Sequence, residues 1–326
     1  MPTRVMRLLA LLVTLLAVAS YARAANDVLT EAQQQFEAGH FSAAVTTLQP
    51  IIRAGSQDAA VYYWLGRCYF ELKNYQQAIN AAERSVKLAA NNSDYQLWLA
   101  RAYGRQADVG RSVWMALRSK DALEAAVQSD PNNIAARRDL AEFYMEAPWI
   151  VGGSKSKARE QIAAITAIDP IQGALAKAEY DRKNGNAARA EGELKSLLQQ
   201  KLKTAEEYYE LADFFASHPD PTLEQQAIDG AAAIAPSDPR LLYYRGVVLV
   251  LRSDNLNEAE SYLKAYLART PDRSDYPPHA DARTWLGHVY EKQGKRMDAA
   301  QQYQIALQLD SRNQFARQSL NQLGKQ

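Results

Sequence analysis

Residues 62–92 read YYWLGRCYFELKNYQQAINAAERSVKLAANN, and residues 283–313 read RTWLGHVYEKQGKRMDAAQQYQIALQLDSRN. Both carry W-L-G-x-x-Y, both place an alanine 12 residues after the glycine (Ala78 and Ala299), and both place a small residue seven beyond it. Two such segments 221 positions apart mean that the chain is built from a repeating unit, and a repeat changes how every residue within it is read.

Working outward from these segments, the small residue of the first helix of each unit recurs at Ala32, Gly66, Ala100, Ala141, Ala178, Ala212, Gly246 and Gly287. The spacings are 34, 34, 41, 37, 34, 34 and 41, a base period of 34 with three insertions. A small residue at this place lets paired helices approach closely. The large residue three positions on, as in Tyr69, Tyr103, Tyr144, Phe215 and Tyr290, fills the space beside it. Small residues recur in the second helix at Ala44, Ala78, Ala158, Ala190, Ala259 and Ala299, whereas repeat six has Glu224 where alanine is usual. Asp130-Pro131, Asp169-Pro170, Ala235-Pro236 and Thr270-Pro271 close second helices, because proline cannot continue one. No stretch alternates with period two, so strands are not expected. A last helix over 313–323 is expected to cover the end of the stack.

These segments and their period resemble the tetratricopeptide repeat (TPR), a 34-residue helix-turn-helix unit. The resemblance covers essentially the whole chain after residue 24 and implies an all-α solenoid of about eight repeats with a C-terminal capping helix.

The first 24 residues read as a separate element. Arg4 and Arg7 precede an apolar run over 8–19, followed by Ala22-Arg23-Ala24 as a small-x-small cleavage site, the three-part pattern of a secretory signal peptide. The run is short for a bilayer-spanning helix, so cleavage after Ala24 and a periplasmic or secreted protein over 25–326 are expected. No cysteine follows the run, so lipid attachment there is not expected. Removing three arginines leaves 35 basic and 37 acidic residues, a nearly neutral chain unlike a nucleic-acid binder with a basic face. Cys68 is the only cysteine, so no internal disulfide is possible and the core alone must hold the fold.

Little points to catalysis. His40, His218, His279 and His288 are scattered without metal-ligand spacing, there is no G-x-S-x-G, and Cys68 falls on the buried side of its helix as a small hydrophobe. An enzyme, and a hydrolase in particular, is therefore the least favoured reading, and neither a cofactor nor a metal is expected.

Two surfaces remain. In repeat four, EFYMEAPWIVGGSKSKARE (142–160) separates Tyr144 from Ala158 by 14 residues, where Tyr69 and Ala78 are nine apart. The five extra residues read as an enlarged turn: Pro148 stops the first helix, Gly152 and Gly153 supply positive φ, and Ser154 caps the next helix. A phosphate loop would need G-x-x-x-x-G-K-[ST] after a strand, and neither is present. Trp149 and Lys155 are the turn's candidate contacts, and the run resembles a subgroup of bacterial exported TPR proteins. The second surface is the concave groove, where the resemblance places partners against first-helix positions one and four after, and three before, the small residue. Those positions hold Tyr63, Arg67 and Phe70 in repeat two, Leu97 and Arg101 in repeat three, with Arg105 one residue past the last of them, and Arg138 and Glu142 in repeat four. Four arginines on one stretch resemble the family's carboxylate clamp, without its asparagines. They imply a partner with an acidic or carboxylate-terminated segment, unless they pair with Glu142, Glu71 or Asp94. Repeats seven and eight offer Tyr243, Val247, Val250, His288 and Glu291 instead.

The expectation is a non-catalytic periplasmic scaffold that binds a protein or peptide segment in its groove. The alternative is a solute-binding or accessory component of an envelope transport or assembly system, with the enlarged turn closing over a small anion.

Overall fold

The computed structural model describes residues 25–217 and 220–324, so residues 1–24, where a signal peptide is expected, and His218 lie outside the described residues. The described residues form seventeen α-helices and no strand. None of them is long and apolar enough to cross a membrane. They fall into two compact units, the first ending at Ala158 and the second beginning at Arg159.

The first unit holds α1 (25–37), α2 (Phe41–Arg53), α3 (Ala59–Glu71), α4 (Tyr75–Leu88), α5 (Ser93–Gly110), α6 (Val113–Ser129), α7 (Ile134–Glu146), a 3₁₀ turn (Trp149–Val151) and the start of α8 (Lys155–Ile168). The second holds the rest of α8, then α9 (Pro170–Lys183), α10 (Ala187–Leu198), α11 (Ala205–Ser217), α12 (Pro221–Ile234), α13 (Arg240–Arg252), α14 (Leu256–Arg269), α15 (His279–Lys292), α16 (Arg296–Leu309) and α17 (Gln314–Leu323). Odd-numbered helices are the first helices of successive repeats, and all eight marker residues lie on them, buried.

The reason for small residues there is visible at the glycines. A Cβ on Gly246 would come within 2.7 Å of Leu263 Cγ, and one on Gly287 within 2.4 Å of Tyr303 Cε1. At Gly66 the same atom would sit 3.4 Å from the α4 backbone, an ordinary contact for alanine. Polar caps start many of the helices: Asn92, Ser112, Asn133, Asp169 and Asn313 accept from backbone N–H groups one turn in. Each such cap stabilises its helix by about 1 kcal/mol. Pro170 ends α8 and opens α9, serving both neighbours because a first-turn residue needs no N–H.

The large residue of the first helix is more than filler. The Tyr144 hydroxyl donates to Glu124 Oε1 on α6 at 2.7 Å, and that of Tyr103 donates to Glu83 on α4. In the second unit Tyr290 donates to Glu260 on α14 at 3.2 Å. The ring closes the packing beside the small residue while its hydroxyl ties the helix to the second helix of the preceding repeat. Cys68 is fully buried and its thiol is pushed up to about 12 by desolvation, the state of an inert core sulfur. The capping helix α17 begins from Asn313 and packs Phe315 on Trp285, ring centroids 5.4 Å apart, and Arg296 donates to the Leu323 carbonyl.

Candidate functional site

The residues that come together in the first unit lie two before and one after the markers of repeats two to four. They read Trp64-Leu-Gly-Arg67, Trp98-Leu-Ala-Arg101 and Asp139-Leu-Ala-Glu142. Three residues apart on a helix means one face, and the 34-residue period carries that face from α3 to α5. The Arg67 guanidinium carbon lies 4.5 Å from the Phe36 ring centroid, 4.6 Å from Trp64 and 4.5 Å from Trp98. Arg101 lies 5.0 Å over the same Trp98 ring and donates to both oxygens of Asp139, Nε to Oδ2 at 2.7 Å and Nη2 to Oδ1 at 3.3 Å. Tyr63 stacks on Tyr95 with centroids 4.8 Å apart. The result is a continuous row, Trp64, Arg67, Trp98, Arg101, Asp139, of partly exposed rings and guanidinium planes, with the fully buried Phe36 ring beneath its Arg67 end.

This row corrects several sequence expectations. Arg67 and Arg101 do meet, on Trp98, but neither forms an open clamp: one is enclosed by rings and the other is held by Asp139, not by Glu142, Glu71 or Asp94. Arg105 is exposed further along α5, and Arg138 and Glu142 lie on α7 beside Asp139. Phe70, 8% exposed, packs edge-on against Tyr75 and Trp98 and is core, as is Leu97. In the second unit Val247 and Val250 are buried, and Tyr243 is nearly so. His288 is held by the Tyr303 and Ser319 hydroxyls. Of the participants that the groove rule missed, Trp64 and Trp98 had a signal, the W-L-small-R pattern recurring 34 residues apart, whereas Asp139 had none.

Beside the row, α5, α6, α7 and the enlarged turn enclose a cavity of about 390 Å³. The turn forms largely as its residues dictate. Pro148 follows the end of α7, Gly152 takes φ +102°, and Ser154 N–H closes onto the Tyr144 carbonyl at 2.8 Å. Gly153 is a correction: its φ is ordinary, and it must be glycine because a Cβ would lie 1.7 Å from the Ala147 carbonyl oxygen. Val151 points into the cavity wall, whereas Trp149 is fully presented outward and Lys155 is exposed on α8. The cavity lining includes carboxylates from Asp108, Asp139, Glu142 and Glu146 and a single arginine, Arg101, already paired with Asp139.

The second unit places charge differently. Glu224 is fully buried in α12 with neither carboxylate oxygen hydrogen-bonded, and desolvation together with the charge of Asp213 pushes it up to about 9. Asp213 is exposed on α11 yet densely surrounded by protein atoms on its inner side. Desolvation pushes it up to about 7, against the opposing pull of a Tyr244 hydrogen bond. Asp281 is pushed up to about 6, again chiefly by desolvation.

A tetratricopeptide repeat family model matches residues 29–94 and 244–314. No curated protein matches the chain. Among solved structures, a tetratricopeptide repeat protein from Parabacteroides merdae is 13% identical, with TM-score 0.48 over 82% of this chain and 99% of its own. A chain of the APC/C hetero-tetramer Cut9-Hcn1 is 12% identical, with TM-score 0.47 over 93% of this chain and 77% of its own. The type IV pilus biogenesis factor PilW is 18% identical, with TM-score 0.45 over 70% of this chain and 98% of its own. The two matched segments carry tetratricopeptide repeats, and the described residues have the all-helical fold that such repeats build. The enlarged turn lies outside both matched segments.

Proposed function

We propose that the protein is a non-catalytic scaffold of the periplasm that holds a segment of a partner protein along the Trp64 to Asp139 row. The observation that carries this reading is the stacking of Trp64, Arg67, Trp98 and Arg101 across α3 and α5 with their faces partly open. Tryptophan, tyrosine and arginine dominate the energetics of protein interfaces, since they offer large rigid area together with polar edges. Here they are preorganised by one another, so a partner does not have to order them. The export reading rests on the three-part pattern of residues 1–24.

The partner's chemistry follows from what the row leaves available. Arg67 is enclosed by rings and Arg101 is satisfied by Asp139, so apolar side chains fit the row better than the acidic segment suggested by an arginine count. Crosslinking in intact cells followed by capture of the wild type and of a Trp98→Ala/Arg101→Ala variant tests this. The expected result is loss of a specific partner at unchanged helicity. Identical partner sets would sink the assignment.

A further inference from the structure

Repeats three and four have their insertions at neighbouring turns, and the exposed apolar residues of the first unit gather there. Val109, Val113 and Trp114 flank the α5–α6 turn and Trp149 and Ile150 form the α7–α8 turn, all between 57% and 84% exposed. The two turns meet. A Cβ on Gly152 would lie 3.3 Å from the Lys120 side chain of α6, and Asp108 and Ala116 share one cavity wall with Pro148 and Val151. α5 and α6 have 18 and 17 residues against 14 in α4 and α8, so the tip projects about 5 Å further.

The rim of this tip is basic. Over 105–121 and 146–157 there are six cationic residues and three acidic ones; Arg118 pairs with Glu83 and Lys120 with Asp121, which leaves Arg105, Arg111, Lys155 and Lys157 as the exposed cations. Arg118 also lies over the Trp114 ring at 5.1 Å. A convex projection that exposes two indoles and three aliphatic side chains inside a cationic collar suits a soft anionic surface better than a protein pocket. Indoles settle at the bilayer interface, lysine and arginine reach outward to lipid phosphates, and burial a few ångströms deep removes the apolar side chains from water.

We propose that the paired turn tips of repeats three and four dock the protein on the headgroup region of an anionic lipid bilayer. The scaffold row on α3 and α5 uses other side chains, so docking and partner capture are tested by different substitutions.

The test uses the full chain with vesicles of phosphatidylcholine and phosphatidylglycerol that carry bromine-labelled acyl chains, which quench only indoles that enter the bilayer. Trp114 and Trp149 are distinguished from Trp64, Trp98 and Trp285 by substitution, and residues 1–24 contain no tryptophan to confuse the signal. Quenching is expected with anionic vesicles, weaker by on the order of tenfold with phosphatidylcholine alone or in high salt, and abolished in Trp114→Ser/Trp149→Ser with helicity and Tm unchanged. Unquenched wild-type emission at saturating anionic lipid would overturn the proposal, as would equal quenching in the double variant. An unquenched wild type whose concentration-dependent dimer disappears in the variant would overturn it too, reassigning the tips to contact between two copies of this chain.

Discussion

Repeats three and seven both span 41 residues from marker to marker, seven more than the period, yet the structure uses the additional residues in opposite ways. In repeat three they lengthen α5 and α6 and carry Val109, Val113 and Trp114 into solvent. In repeat seven they become the loop between α14 and α15, and that loop is tied down. The Tyr266 hydroxyl donates to the Pro277 carbonyl at 2.6 Å, the Thr270 hydroxyl to the Tyr266 carbonyl at 2.6 Å, and His279 N–H to Asp272 at 3.1 Å. An insertion of given length is therefore neither structural nor functional in itself. What separates the two is whether its polar groups find partners in the fold and its apolar groups find cover.

The largest expected effect bears on the second unit's tighter packing. Gly246→Ala in repeat seven forces a methyl against Leu263 and is expected to cost about 2 kcal/mol. Repeat three already carries alanine at that place, and Ala100→Gly loses only helix propensity, about 1 kcal/mol. Chemical denaturation of both variants measures the difference, and equal costs would break the contrast.

Glu224→Gln sharpens the same contrast through pH. An unfolded glutamate ionises near 4.5, whereas the buried carboxyl holds its proton to about 9. Between those values the folded chain keeps a proton that the unfolded chain has released, so stability falls as pH rises across that window and levels off above it. The amide removes this slope. Its Tm is expected to exceed the wild type by about 5 °C at pH 8 and to match it near pH 4.5; parallel curves across the range would show that Glu224 ionises freely.

Tyr266→Phe tests the repeat-seven loop by leaving the Pro277 carbonyl without its donor, at a cost of about 1–2 kcal/mol, with faster backbone hydrogen exchange confined to the loop and its flanks. The smallest effect belongs to repeat three. Val113→Ser/Trp114→Ser is expected to stay within about 0.5 kcal/mol of wild type, because the side chains it removes already lie in water. A larger loss would mean that the tip is structural after all.

How much of this was legible beforehand differs by kind of feature. The eight markers, the proline stops and the α17 cap could be read directly, because each depends on neighbours within a turn or two of helix. The Tyr–Glu ties were not legible: Tyr144 and Glu124 are 20 residues apart, and nothing local marks them as partners. In the candidate row, counting arginines misled because it treated charge as availability. Arg67 and Arg101 are where the repeat frame placed them, but their surroundings decide that one is sandwiched and the other neutralised.

The sequence by itself determined the repeat register, the helix ends and the class of the fold, since a 34-residue period with small residues at fixed places has one low-energy packing. Only the tertiary structure decided that one insertion would project and another be fastened, that Phe70 would face inward, and that Glu224 would be buried without a partner. Exposure and pairing depend on atoms brought near by folding, and a repeat specifies which helices become neighbours without specifying what each side chain will find there.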